Sequence, residues 1–433
     1  MHLRNRQSAI ARWKMPAWRS RGLRMLGFGL LILAAGSRML RAEERPSLEF
    51  RDGDRVVLLG GTFVERLQWH DYLETLLTTA FPDRHVTFRN LGWSADTVWG
   101  DSRAVFGSQN DGFARLVKDV TEAKPTVILI AYGTNEANAG AGGLETFHAG
   151  LKRLLDTLGP TQARLALVAG HRREAAGPRL PDPTAYNANL YQYNQAIEAV
   201  CRERGLPFIT LETLVGAEPI RPQRLTREGL HLTEYGQWVL APLIAQRMGV
   251  GMPVDPPSID AAKMSSDSVG VRDVKSSNTG VSFALTERRL GYPLQLREGT
   301  HRHEAPADVA KLIESRLRVT GLAAGKYQLR IDGQPASEYQ PAEAWARPEG
   351  VAYTNAKSIT QWQELRQVIH EKNQLYFHRH RPQNETYLFL FRKHEQGNNA
   401  VEIPQFDPLV AACEKKIAEL RVPRAQQCEL VRE

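Results

Sequence analysis

Thr62 stands directly after Val56-Val57-Leu58-Leu59-Gly60-Gly61, four apolar residues closed by two glycines. Gly92 lies in Asn90-Leu91-Gly92-Trp93-Ser94-Ala95-Asp96-Thr97, Asn135 in Gly133-Thr134-Asn135-Glu136, and His231 in Glu228-Gly229-Leu230-His231. An alcohol nucleophile needs a base within reach, an acid to orient that base, and donors for the oxyanion. Thr62 carries the hydroxyl, His231 the imidazole that can take and return a proton, and Glu228, three residues earlier, a carboxylate that a turn would bring to the ring. Asn135 offers a side-chain NH2, while Gly92 and Thr62 offer backbone N–H groups.

These residues share a position as well as a chemistry. Short apolar runs at Val56–Leu59, Val86–Leu91, Val127–Tyr132, Arg164–Ala169 and Leu206–Leu211 alternate with helical patterns at Phe63–Leu77, Phe113–Val120, Leu144–Leu158, Tyr186–Arg204 and Glu234–Met248. Such alternation predicts a doubly wound α/β sheet. Ligands of such sheets bind beyond the carboxyl ends of the strands. Thr62, Gly92 and Asn135 each follow a strand, and His231 precedes the last helix. Thr62 has a second reading, as the cap of the helix that begins near Phe63.

The four blocks, in this order, resemble those of the SGNH, or GDSL-type, hydrolases over roughly residues 50–250. The family's Gly-Asp-Ser is matched by Gly60-Gly61-Thr62, its Asn-x-Gly-x-Ser-Gly-x-Thr by Asn90–Thr97, its Gly-x-Asn-Asp by Gly133–Glu136, and its Asp-x-x-His by Glu228–His231. The resemblance implies a flavodoxin-like sheet and an esterase, lipase or carbohydrate deacetylase. Thr62, His231 and Glu228 would be the catalytic residues, with Thr62, Gly92 and Asn135 as the oxyanion hole. No cofactor is implied. Two departures bear on activity: Thr62 replaces a serine, and its extra methyl crowds attack; Glu228 replaces an aspartate.

Three readings follow. Thr62 is the nucleophile of a working esterase; or His231 or Glu65 activates water directly; or the chain binds a glycan or ester without chemistry. Ser94 is a substitute hydroxyl, although the family pattern has a serine there in a structural role. Trp93, Trp99 and Trp69, with Glu65, form an expected substrate rim; the aromatic rings serve core packing equally well.

The formal charge of +8 does not indicate nucleic acid. Residues 1–42 hold nine of the 56 basic residues and no acid, so their removal leaves 47 basic against 48 acidic residues. Within that segment Met25–Ala35 is apolar and small residues follow, the pattern of a cleaved export signal. The run falls short of the about 20 residues of a membrane span. The expectation is a periplasmic or extracellular protein without stable membrane insertion, an uncleaved anchor being the alternative. Its partner would be an ester-bearing small molecule or polysaccharide. Oligomeric state is not legible.

Met252-Pro253-Val254-Asp255-Pro256-Pro257 marks a boundary that closes an α/β domain at 45–252. Residues 258–340 read as a β-rich module, with a hairpin expected across Thr320–Gly325 and a second turn at Ile331–Gln334. Residues 341–433 read as an α+β region with helices at Thr360–Lys372 and Leu409–Leu420. His378 and His380, placed on one strand face, and His394 lie among arginines; a metal site, an anion or glycan site, and a structural polar network all fit. Cys413 and Cys428 are near enough in sequence to bridge in an oxidising compartment, whereas Cys201 reads as core. No cysteine cluster has the spacing of a structural zinc site.

Overall fold

Strands made of short, wholly apolar runs need cover on both faces, and a parallel sheet flanked by helices supplies it. The computed structural model describes residues 47–433 apart from 217–222, 251–254, 299–300, 396 and 398. The expected signal at 1–42 lies outside the described residues. In chain order the first half forms β1 (Arg55–Gly60), α1 (Thr62–Leu67), α2 (Tyr72–Ala80), β2 (Thr87–Asn90), α3 (Gln109–Glu122), β3 (Val127–Ala131), α4 (Leu144–Leu158), β4 (Arg164–Ala169), α5 (Thr184–Arg204), β5 (Phe208–Thr210) and α6 (Glu234–Arg247). The five strands are parallel in the order β2-β1-β3-β4-β5. This is the flavodoxin-like order; the alternation of elements predicts a doubly wound sheet, and the family resemblance implies this form of it.

Alternate residues of a strand face opposite sides, and β1 shows the consequence. Val56 and Leu58 join a core with α2 and α6, while Val57 and Leu59 join a second core with α3, α4 and α5. The single helix expected from Phe63 to Leu77 is two. The chain turns at Asp71, whose φ of 57° is left-handed.

The second half comprises β6 (Ser258–Asp260), β7 (Val271–Ser277), β8 (Gly280–Leu285), β9 (Gln295–Glu298), β10 (His301–Glu304), α7 (Ala307–Ile313), β11 (Ser315–Thr320), β12 (Lys326–Ile331), β13 (Gln334–Pro335), β14 (Gln340–Pro341), α8 (Ala342–Trp345), β15 (Val351–Tyr353), α9 (Ala356–His380), α10 (Glu385–Leu388), α11 (Phe406–Leu420) and β16 (Gln426–Arg432). A six-stranded sheet holds β16 between β8 and β12, and a three-stranded sheet runs β15-β11-β6. The two share one core around Phe283, Leu317, Leu329, Trp345 and Leu430.

Three expectations are corrected here. Residue 340 is not a boundary, because β16 completes the sheet begun by β8 and β12. The stretch around α7, together with α9 and α11, instead packs on the α/β half: Leu312, Ile313, Trp362, Leu365, Ile369 and Ile417 share a core with α2 and α6. The hairpin across Thr320–Gly325 is absent, since β11 pairs with β6 and β15 while β12 pairs with β13, β14 and β16. The Ile331–Gln334 turn does form, with Asp332 and Gly333 both at positive φ as a two-residue hairpin turn requires. His378 and His380 lie in the last turn of α9, on a helix and not a strand.

A buried polar seam fastens α9 to α2. Lys372 Nζ donates to Glu74 Oε1 at 2.5 Å and to the Phe88 carbonyl at 3.1 Å; Asn373 Nδ2 donates to Glu74 Oε2 at 2.8 Å and to Asp71 Oδ1 at 2.7 Å. His370 Nδ1 lies 2.7 Å from Asp71 Oδ2. Lys372 is 1% exposed. Burial pushes the Glu74 carboxyl above its ordinary range, against the pull of Lys372.

Removing one partner of a buried pair strands the other. Lys372→Met should lower unfolding free energy by about 3–5 kcal/mol at pH 8, read by urea denaturation. Glu74 then binds a proton more readily folded than unfolded. Stability is therefore regained as pH falls, so the deficit relative to wild type should shrink toward pH 5. A deficit that does not change with pH would show that Glu74 carries no stranded charge.

Candidate active site

The sheet brings the candidate residues to one edge. Gly60 at the end of β1 pairs with Ala131 at the end of β3, and Leu58 pairs with Asn90 at the end of β2. Thr62, Asn135 and His231 line a single cleft over these ends, with Phe63, Leu67 and Leu232 as its apolar wall.

Thr62 is the first residue of α1 and does not cap it. Gly61 occupies the cap position, and the Thr62 hydroxyl accepts a hydrogen bond from the Ala95 amide at 3.0 Å. The amide of a first-turn residue has no partner within its helix, so Thr62 N–H is a natural oxyanion donor. Gly60 permits the close packing behind this turn: a Cβ there would lie 2.4 Å from the Ala131 carbonyl. Asn135 Nδ2 donates to the Asp96 carbonyl at 2.8 Å; a primary amide has two such hydrogens, and the second remains for a ligand.

His231 sits in a tight turn, Thr226 to Leu232, which an isolated antiparallel bridge closes. The turn places Glu228 Oε1 against His231 Nδ1. Burial raises the Glu228 carboxyl, but the hydrogen bond and charge of His231, aided by Arg66, hold it below the ordinary carboxylate range. With Nδ1 engaged, Nε2 is the ring nitrogen left for proton transfer. Glu174, from the loop after β4, clamps the turn: its Oε2 accepts from Thr226 N at 3.0 Å and Oγ1 at 2.6 Å, and its amide donates to the Gly229 carbonyl at 2.8 Å.

Residues 41–239 match the model of the GDSL-like lipase/acylhydrolase family. This domain belongs to that family. Among solved structures, a gut microbial diltiazem-metabolizing enzyme superposes with a TM-score of 0.68 at 17% identity, covering 90% of this chain and 99% of that one. The shared fold thus extends beyond residue 255, where the sequence resemblance stops. An acetylxylan esterase from Geobacillus stearothermophilus covers 47% of this chain and 97% of its own, at 18% identity and a TM-score of 0.38. A GDSL-like lipase from Bacteroides thetaiotaomicron covers 45% and 88%, at 21% identity and 0.33. No curated protein sequence matches the chain.

Four expected site residues of the GDSL-like domain serve as its framework. The Gly92 amide is occupied, donating to Asn90 Oδ1 at 2.8 Å. Gly92 is small for a different reason: a Cβ would lie 2.1 Å from the Glu65 amide. Glu65 lies buried off the cleft and cannot activate water there. Its carboxylate accepts from Ser94 N at 2.6 Å and Ser94 Oγ at 2.8 Å, and Arg381 Nη1 lies 2.6 Å away. Ser94 is correspondingly a structural residue. Trp93 is buried beneath the guanidinium groups of Arg103, Arg115 and Arg381, with His380 against its edge. Trp99 packs on α4 at Gly150. Only Trp69 is exposed, with Arg66 stacked on its ring at 4.5 Å. Cys201, Cys413 and Cys428 are buried free thiols. Among the described residues, no group of three or more His, Cys, Asp or Glu could hold a metal ion.

Residues not singled out from sequence hold the loops. Asp96 and Arg103 form a fully buried pair at 2.7 Å. Arg103 also donates to the Leu91 carbonyl and to Asp119, and Tyr132 OH donates to Asp96 at 2.8 Å. Glu136 ties the two loops together by accepting from Val98 N at 2.9 Å and Gly133 N at 2.8 Å. His171 lies in the cleft wall; burial holds its imidazole below the ordinary histidine range. The signal for Asp96 and Arg103 was weak because each looks like an ordinary loop charge.

Ala95 stands where the family pattern has glycine, and its φ is 60°. An L-residue in that region is strained by roughly 1–2 kcal/mol. Ala95→Gly should therefore raise stability by about 1 kcal/mol in equilibrium denaturation. A neutral or destabilising result would show that the loop relaxes around the methyl.

Proposed function

We propose that the protein is an exported hydrolase of acyl or acetyl esters, carried on a carbohydrate, with a Thr62–His231–Glu228 site. One observation carries this reading: Thr62, Asn135 and His231 line the same cleft while Glu228 holds the far nitrogen of the imidazole. The basic, apolar and small-residue order of residues 1–42 supports export.

The chemistry follows from those positions. The Ala95 amide occupies one lone pair of the Thr62 hydroxyl and leaves its proton for His231 Nε2. As Thr62 Oγ1 bonds to the ester carbon, that proton moves to the imidazole, and Glu228 stabilises the resulting imidazolium. The carbonyl oxygen becomes an oxyanion between Thr62 N–H and Asn135 Nδ2. Collapse breaks the ester C–O bond, and the imidazolium returns its proton to the departing alcohol. Water, deprotonated by His231, then releases the acid and restores Thr62.

Hydrolysis of p-nitrophenyl acetate tests the assignment. His231→Ala and Thr62→Ala should each lower kcat/KM by roughly 10³-fold or more, and Asn135→Ala by roughly 10²-fold. Thr62→Ser should be faster than wild type, since it removes the crowding methyl. Full activity in Thr62→Ala with loss in His231→Ala would assign water as the nucleophile. Activity appearing only in Thr62→Ser would make the natural protein a binder.

A further inference from the structure

The cleft carries more hydrogen-bonding capacity than ester cleavage uses. Arg66, on α1 one turn from Thr62, lines it, and among the described residues its guanidinium makes no hydrogen bond or ion pair. Its Nε is shielded from solvent and unpartnered. Arg173, from the loop after β4, also lines it; its Nη2 donates to Asn138 Oδ1 at 2.9 Å, while its Nε is shielded and unpartnered. Gln237 of α6 is 3% exposed; its Nε2 donates to the Arg66 carbonyl at 2.7 Å, and its Oε1 has no partner.

The two guanidinium groups are held ready. Arg66 stacks on Trp69, and Arg173 lies 3.4 Å from the ring centre of Tyr186. Stacking fixes each guanidinium plane, and the Nε of each keeps a hydrogen to give. The Arg173 backbone is pinned at both polar atoms by Asn187, at 2.8 and 2.9 Å. Among the described residues no Asp or Glu lines the cleft with them; Glu228 feels the charge of Arg66, but its hydrogen bond goes to His231. Buried donors without acceptors are costly to keep. Planar guanidinium groups match a carboxylate better than any neutral group. The Gln237 oxygen asks for a donor beside that carboxylate, which a hydroxyl supplies.

We infer that the ester is borne by a carboxylate-containing sugar, the carboxylate lying between Arg66 and Arg173 and a hydroxyl reaching Gln237. This rests on the proposed ester-hydrolase reading of the same cleft and names its substrate class. Arg66 and Arg173 are binding residues in this account; they orient the sugar so that its acyl carbon meets Thr62.

Galacturonate and galactose differ at the group in question and serve as probes of the full chain. Isothermal titration calorimetry gives their binding without turnover, and their inhibition of p-nitrophenyl acetate hydrolysis gives their place. Galacturonate should bind at least tenfold more tightly than galactose, and the ratio should fall as salt is raised. Arg66→Gln should bring the ratio to within about twofold, Arg173→Gln should reduce it, and Arg66→Lys should retain part of it. Thermal melts identify any variant that fails to fold, and either glutamine variant then suffices. No preference in the wild type, whether both sugars bind or neither does, overturns the inference, as does a preference undiminished in both glutamine variants. A protein that prefers galacturonate yet hydrolyses no ester keeps the anion site and loses the ester-hydrolase reading.

Discussion

The buried pair of Asp96 and Arg103 is the constraint on which the cleft depends. Both side chains are fully buried, and taking two charges from water is justified only when every remaining polar atom is engaged. Here they are: Leu91, Asp119, Tyr132 and the Ser102 amide complete the set. The pair thereby locks the loop after β2 into one path. That path presents the Ala95 amide to the Thr62 hydroxyl and the Asp96 carbonyl to Asn135. Two groups of the proposed chemistry, from two different strands, are aligned by a third loop that gives the cleft none of its described lining residues. Hydrophobic burial assembles the sheet, but burial has no direction, and the polar network provides the alignment.

The sheet was legible in the chain because its signals are local. An apolar run ending in glycine, repeated between amphipathic helices, specifies buried parallel strands whatever lies elsewhere. The convergence of Thr62, Asn135 and His231 followed from that placement. Glu65 and Gly92 were misread, and Trp93 was left between rim and core, for the opposite reason. Their roles are set by Ser94, Asn90, Arg103 and Arg381, partners whose proximity no periodicity encodes. Arg381 is the clearest case, since it reaches the site framework from the far end of α9. Asp71 similarly broke a helix whose apolar spacing was unbroken, because His370 and Asn373 hold its carboxylate.

The second half was legible as strands and helices but not as an arrangement. Strand alternation predicts that β11 and β12 exist; it does not say that they belong to different sheets. The division is between layers, not between consecutive segments. The chain leaves the β layer after β8, covers α6 with the stretch around α7, returns, leaves again for α9 and α11, and comes back with β16. Each return adds to one of the two cores, and α9 with its buried Lys372 belongs to the one it shares with α2.

The position of β16 has a consequence for biogenesis. Cys428 lies opposite Phe283 on one side and Ile331 on the other, so both neighbours leave the ribosome well before the strand that joins them. Until it arrives, β8 and β12 each present an open edge, the kind of surface that recruits other strands. Pairings this distant in sequence also close slowly. A holding chaperone that shields strand edges during that interval would protect the protein more than one that shields its helices.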